Sequence, residues 1–463
     1  MKQTKHSQIT LLFFLSFAIF SCDKKDDPTP TVDPSSNTAV NNWIQDVMDQ
    51  VYYWLDDMNT PIAVDSDPEE YFESLLNRPT DRFSYITPDY QELINSLNGI
   101  TLEAGYEFTL YRESSANENV LAEVTYIKKN SPASAVDLKR GDRIRKINDT
   151  QMTLDNYRDL LDEISTTHTI DHYRLNEETL VFENLGNLSL TPVQLAEDPN
   201  YLDSIYTVNG QKVGYLIYNF FAPGPGSSST QYDDETDEIF AKFKSGAIDH
   251  LILDFRYNGG GYVSSAVNLA SLIAPAVTTS DIFYKTKYNS FLSQYSDFQN
   301  VQTPFESKTE NLGNILEGNR VYILTSSRTA SASELIINGL KPYMDVYIIG
   351  DVTYGKNVGS IPFEDEENSD NPYGILPIVT QSFNSLDQSD YTNGFTPDVE
   401  ALESSELLLP LGDVNEILLR TAIEQITGES SSGRFQKLDR EDIGSTLDRK
   451  VRAGTMIESI KIN

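Results

Sequence analysis

The chain has 463 residues, 39% hydrophobic and 11% aromatic, which excludes global disorder and leaves room for two or three domains. A formal net charge of −35 argues against nucleic acid as a partner, because phosphate would be repelled rather than neutralised. With one cysteine no intrachain disulfide is possible, and with four histidines few ordinary bases are available.

Lys2 and Lys5, an apolar run from Leu11 to Phe20 and Ser21 ahead of Cys22 predict an export signal over residues 1–21. The run is too short to span a bilayer comfortably. The motif I-F-S-C resembles a bacterial lipobox, and that resemblance implies that Cys22 is acylated and becomes the mature N-terminus. The stretch C-D-K-K-D-D is similar to the export tags of Bacteroidetes surface lipoproteins, so a lipid-anchored protein of the cell envelope is expected, with the membrane and its face left open. Residues 22–40, rich in Asp, Pro, Thr and Ser, read as a solvated tether.

Asn41 or Asn42 is placed to cap a helix whose apolar positions Ile44, Val47, Met48, Val51 and Leu55 follow helical spacing. Asp67 as cap with Pro68 at the first helical position predicts a second helix to about Leu76. Phe83, Ser84 and Tyr85 read as a connector. Residues 41–95 are therefore expected to form a small helical N-terminal domain that packs rather than catalyses.

The pattern changes over 98–180. Tyr106 to Tyr111 and Val120 to Ile127 read as strands, and a helix is expected from about Leu154 to Ile164. Between them, S-P-A-x-x-x-x-L-x-x-G-D-x-I-x-x-I-N starts a short helix at Ser131-Pro132, turns at Gly141-Asp142 and sends Ile144 and Ile147 into a core. This segment resembles PDZ domains, which bind an extended C-terminal peptide by strand addition and hold its carboxylate in backbone amides. Gly105 and Tyr106, ahead of the first strand, are the expected carboxylate loop, although they depart from the usual Gly-Φ-Gly-Φ form. A PDZ-shaped spacer without peptide affinity is the other reading.

From 200 to 425 strands and helices alternate, which predicts an α/β domain. Val213 to Phe221 is a nearly continuous apolar strand, Thr230 to Phe243 an acidic helix, and His250 to Phe255 a buried strand. That strand ends in Asn258-Gly259-Gly260-Gly261, followed by a helix from Val263 to Ile273. Glycines let the chain turn sharply, and amides freed there, or at a helix start, can hold an oxyanion at about 3–4 kcal/mol each. Three glycines after a strand alone mean only a tight turn. A further strand, Val321 to Leu324, runs into small polar residues and a helix; Val346 to Ile349 runs into a turn carrying Lys356. A hydroxyl at the helix start and this lysine would meet at one sheet edge, as a Ser–Lys nucleophile and base require. Residues 427–463, Ser/Gly-rich and charged, carry no readable function.

Ser326, Ser327, Ser331 and Ser333 all compete as the nucleophile, and Ser331 with Glu334 also forms S-x-x-E, the signature of a capping box. As base, Lys356 must titrate near pH 7 instead of about 10.4, a change of roughly 4 kcal/mol that burial can supply. Tyr354, Val352 and Val358 are the expected walls of its pocket. No Cys/His cluster suggests a metal, and no phosphate loop or dinucleotide fingerprint suggests a cofactor. His168 and His172 fall at the end of the PDZ-like region, and His250 at the far end of the strand that carries the glycine turn, so a Ser–His–Asp triad is not expected.

The segments L-I-L-D-F-R-Y-N-G-G-G, T-S-S-R-T-A-S-A-S-E-L-I and I-I-G-D-V-T-Y-G-K-N-V-G-S, in that order after the PDZ-like region, resemble the C-terminal-processing (tail-specific) serine peptidases. The resemblance spans about 98–425. It implies a ClpP/crotonase-like α/β core, Ser331 as nucleophile, Lys356 as base, and the Gly260 and Ala332 amides as oxyanion hole. Many members carry glutamine four residues after the lysine; here Ser360 stands there, so Ser360 or Asn357 takes the base-orienting role. The turn Asn258-Gly259-Gly260-Gly261 replaces the usual Asn-Pro-Gly-Gly. The expectation is a cell-envelope serine endopeptidase acting on unfolded or C-terminal polypeptide segments, without cofactor. Its alternative is a weak or inactive peptide-binding lipoprotein.

Overall fold

The computed structural model describes residues 33–226, 228–429, 438 and 440–458. Cys22 and the export signal lie outside the described residues. The first helix, α1 (Asn37–Val51), starts ahead of the expected cap: Ser36 Oγ accepts the Ala39 amide. Asn41 is instead a buried helical residue that donates to Val64 O at 2.9 Å and Ser66 O at 2.8 Å. Asp67 caps α2 (Pro68–Leu75) as its sequence predicts, taking the Glu69 and Glu70 amides. The connector is partly a strand, Tyr85–Thr87, and is followed by α3 (Tyr90–Leu97). Met48 and Tyr52 of α1 and its exit pack on Phe72 and Leu75 of α2 and on Ile375, so this unit is seated on the larger domain.

Strands Tyr106–Arg112 and Val120–Ile127 pair antiparallel and begin an antiparallel sheet over a core that includes Ile144 and Ile147. The helix expected over 154–164 is shorter, α4 (Tyr157–Glu163), because Asn156 and Thr153 spend the preceding turn on caps and bends. The sheet runs past residue 180: strand Val181–Leu190 pairs with His168–Asn176. The free edge of the 106–112 strand is taken antiparallel by Asp442–Ser445, from the stretch that had no readable function.

The large domain is built on a sheet ordered Asn200–Val208, Gln211–Tyr218, His250–Asp254, Arg320–Thr325, Asp345–Gly350 and Val399–Glu400. From 211 onward its neighbours are parallel. Alternate residues serve two cores, as expected of a sheet covered on both faces. Leu251, Leu253, Val321 and Ile323 meet α5 (Gln231–Gly246), α6 (Val263–Ile273) and α7 (Ala332–Leu340). Ile252, Tyr322, Leu324 and Ile349 meet α8 (Ile417–Thr427) on the other face. A second sheet runs Gly260–Tyr262, Thr455–Ile457, Val358–Ser360, Ile378–Asn384, Ile282–Lys287 and Val301–Pro304.

Behind the glycine turn lies a buried ion network. Arg256 donates to Asp254 at 2.7 Å and to Glu416 at 2.9 Å, while Arg140 of the 98–180 region meets Glu403 at 2.7 Å. Removing one partner of such a network leaves charges buried and unpaired. Arg256→Ala is therefore expected to lower stability by about 3–5 kcal/mol, read from the urea midpoint. An unchanged midpoint would show that the turn is held by other contacts.

Candidate active site

The 320–325 strand enters the sheet centre and the chain then passes through a turn into α7. Four serines lie on this turn and the first residues of α7, and their surroundings separate them. Ser326 Oγ donates to Arg256 O, Ser333 Oγ donates to Asn258 O at 3.1 Å, and Ser327 is exposed. Ser331 alone is fully buried with a hydroxyl that has no hydrogen-bond partner among the described residues. Its backbone lies at φ +65°, ψ −113°, a conformation an L residue holds only when its surroundings enforce it.

The enforcing contacts are visible. Ser331 N–H donates to Glu334 Oε2 at 2.8 Å, the backward half of a capping box. In the forward half the Ser331 hydroxyl faces the Glu334 amide but makes no hydrogen bond with it, so the hydroxyl is left for other use. Glu334 also accepts the Lys356 amide at 2.8 Å, the Gly355 amide at 2.7 Å and the Thr353 hydroxyl at 2.6 Å. One buried carboxylate thus ties the serine turn to the lysine turn. Burial pushes its pKa up, and these four donors pull against that. Glu334→Gln would replace one acceptor by a donor facing N–H or O–H groups. Its kcat for peptide hydrolysis is expected to fall about tenfold to a hundredfold, since misplacement by an ångström costs that much. A kcat equal to that of the parent would refute the positioning role.

Lys356 is 1% exposed, and burial lowers its pKa to about 7 against the opposing charges of Asp81 and Glu334. The walls expected at Tyr354 and Val352 are in fact both exposed, whereas Val358 is buried. The residue that covers the ammonium is Phe83, whose ring centre lies 4.7 Å from Nζ. Phe83 belongs to the segment expected only to pack. Its loop is shaped by buried Asp81, which accepts the Phe83 and Ser84 amides at 2.9 Å and the Tyr52 hydroxyl at 3.0 Å. Arg82, alongside, donates to Gly355 O at 3.3 Å.

Gly260 lies against Ser331. Its φ is +110°, and a Cβ there would sit 2.8 Å from Ser331 Cβ, so only glycine fits. Its amide donates to Asn258 Oδ1 at 2.9 Å. Ala332, the first residue of α7, has an amide without an intrahelical partner. Neither expected orienting residue bonds the ammonium. Asn357 Nδ2 donates to Ser389 O at 2.8 Å, and the buried Ser360 hydroxyl has no partner. Lys356 Nζ instead donates to Gly454 O at 2.6 Å.

The histidines stay away. His168 bonds Tyr106 and Thr166, His172 faces Gly186, and His250 lies near Tyr322 and Glu317. Gly105 and Tyr106 line a separate cleft, with Glu103, Glu107 and Lys450. Among the described residues, no cluster fits a metal ion and no helix is long and apolar enough to cross a membrane. Sequence reasoning missed Phe83, Glu334 as the tie, and the 440–458 segment. For Glu334 the S-x-x-E spacing was the available signal.

Family models match the chain twice: peptidase family S41 over residues 212–401 and the peptidase S41 N-terminal domain over 39–85. A carboxyl-terminal-processing protease of Picosynechococcus is 22% identical over 255 residues, 55% of each chain. A CtpA-like serine protease of Staphylococcus aureus is 24% identical over 280 residues, 60% of this chain and 49% of its own. The chain thus spans about half the length of the curated relatives it matches. An S41 protease structure from Bacteroides fragilis is 29% identical with a TM-score of 0.70, covering 84% of this chain and 98% of that one.

Proposed function

The chain belongs to peptidase family S41, and on that premise we propose that it is a serine endopeptidase with Ser331 as nucleophile and Lys356 as general base. The observation that carries this reading is the pairing of a buried, unpartnered hydroxyl on strained backbone with a buried lysine near neutrality, both tied to Glu334.

In the proposed reaction neutral Lys356 takes the Ser331 proton as Oγ attacks the scissile carbonyl. The Ala332 and Gly260 amides hold the oxyanion. Using Gly260 requires its amide to leave Asn258 Oδ1. The ammonium then returns the proton to the leaving amine, and water repeats the sequence on the acyl-enzyme. Substrates are unfolded or C-terminal stretches of polypeptide, since only extended backbone can lie along the strand edges of the cleft. The PDZ-like region over 98–180 supplies a second such edge. Acylated Cys22 would hold the enzyme in the cell envelope, a reading supported by the signal ahead of it.

The test is hydrolysis of fluorescein-labelled casein, an unfolded protein, by the full chain beside Ser331→Ala. Peptide products from the parent alone are expected. Binding without products from either would favour the peptide-binding alternative.

A further inference from the structure

Residues 440–458 join the two surfaces on which an extended polypeptide could be bound. Asp442–Ser445 adds to the free edge of the 106–112 strand, with Ser445 opposite Thr109 and Asp442 opposite Tyr111. Thr455–Ile457 lies between the glycine turn and the strand that follows Lys356: Gly260 is opposite Thr455, and Ser360 is opposite Ile457. Between these strands the segment lines a cleft of about 370 Å³ with Gly259, Gly260 and Tyr354. The contact with the reacting groups is direct. A Cβ on Gly260 would stand 2.3 Å from Thr455 O and 2.8 Å from Ser331 Cβ. Gly454 O holds the Lys356 ammonium, so the base has given its hydrogen bond to the segment and Ser331 Oγ has no partner.

We propose that residues 440–458 are an intramolecular competitor of the substrate: they occupy the polypeptide path and keep the enzyme latent until another chain displaces them. The inference rests on the peptidase reading above and adds its regulation. The arrangement is inhibitory rather than productive. The segment runs parallel to both strands beside Ser331, and its bond to Lys356 withholds the base.

The charges that seat the segment say what can replace it. Glu103, Glu107 and Glu197 form one acidic cluster, and Lys128 lies within 3.0 Å of all three. One lysine does not neutralise three carboxylates. Lys450 completes the cluster at 2.9 Å from Glu103 and 2.7 Å from Glu107, and Arg452 bonds Glu197. Displacing the segment strips two cations from buried carboxylates, which is costly unless the incoming chain brings its own. The partner is therefore an extended polypeptide with two basic side chains at K-x-R spacing, a few residues beyond its strand-forming stretch. On the other side, Arg328 pairs with Asp448 at 2.8 Å and Asp442 at 3.2 Å, exposed contacts that set how readily the segment leaves.

Three measurements on the full chain test this. Asp442→Asn with Asp448→Asn removes the pairs to Arg328 without touching Ser331 or Lys356, and is expected to raise the initial rate on labelled casein about threefold to tenfold. A synthetic peptide of residues 440–458 is expected to inhibit that variant competitively, at least about tenfold better than the same peptide with Lys450→Ala and Arg452→Ala. Hydrogen exchange on the Ser331→Ala chain reads the seat without turnover: amides of 442–445 and 455–457 are expected to be protected and to lose protection when unlabelled casein is added. Unchanged rates in an active double variant, or equal potency of the two peptides, would overturn the proposal. So would protection that casein does not alter. Loss of protection without hydrolysis by any form would sustain the competitor and defeat the peptidase reading.

Discussion

Ser331→Ala is expected to slow casein hydrolysis by about 10⁴-fold or more, with little change in stability. The hydroxyl makes no hydrogen bond that folding depends on. Removing it leaves no unpaired group and creates only a void the size of one oxygen. The neighbouring hydroxyls are no substitutes: those of Ser326 and Ser333 are committed to the carbonyls of Arg256 and Asn258, which fasten this turn to the glycine turn. Full activity in Ser331→Ala, measured on labelled casein, would remove Ser331 from the mechanism. Ser333→Ala is the natural control, since it should cost stability rather than chemistry.

The second large effect separates activity from stability. Lys356 sits near 7 in the folded chain and at its ordinary 10.5 when unfolded. Between those values the unfolded chain binds more protons, so folding stability rises with pH through this window and carries the full penalty below about 7. Lys356→Met keeps the stem, removes the charge, and is expected to be inactive yet more stable, by up to about 4 kcal/mol at pH 7. Denaturant midpoints across pH 6–10 should be flatter in this variant than in the parent. Parallel curves would mean that the lysine is not the buried cation described here. For the parent, kcat/KM should climb as pH rises through about 7, because only the neutral amine accepts the serine proton.

Much of this architecture is legible from residue pattern. The apolar runs at 250–254, 320–325 and 345–350 gave their strands, because parallel strands buried on both faces read as unbroken hydrophobic stretches. The Asp67-Pro68 pair placed a helix start to the residue, since cap chemistry is local. Contacts distant in sequence were not legible. Nothing around Phe83 says that its ring will stand over Lys356, in the turn 273 residues further along where Arg82 meets Gly355. The orienting role expected of Ser360 and Asn357 follows from position along the chain, whereas Asn357 is bound to Ser389 and the Ser360 hydroxyl makes no hydrogen bond. The strands at 442–445 and 455–457 are three or four residues long, too short for any period to declare itself against charged flanks.

Phe83 over Lys356 also sets an order of events. A lysine in water at neutral pH is an ammonium and no base at all. In the proposed mechanism Lys356 becomes one only after the loop shaped by Asp81 has closed over it, and that loop is carried by the N-terminal helical unit. On that reading, a chain that has folded its central sheet but not yet docked this unit has Ser331 and no means to activate it. Proteolytic power would then arrive last, with assembly, and leave a nascent or partly unfolded copy harmless to itself and to its neighbours.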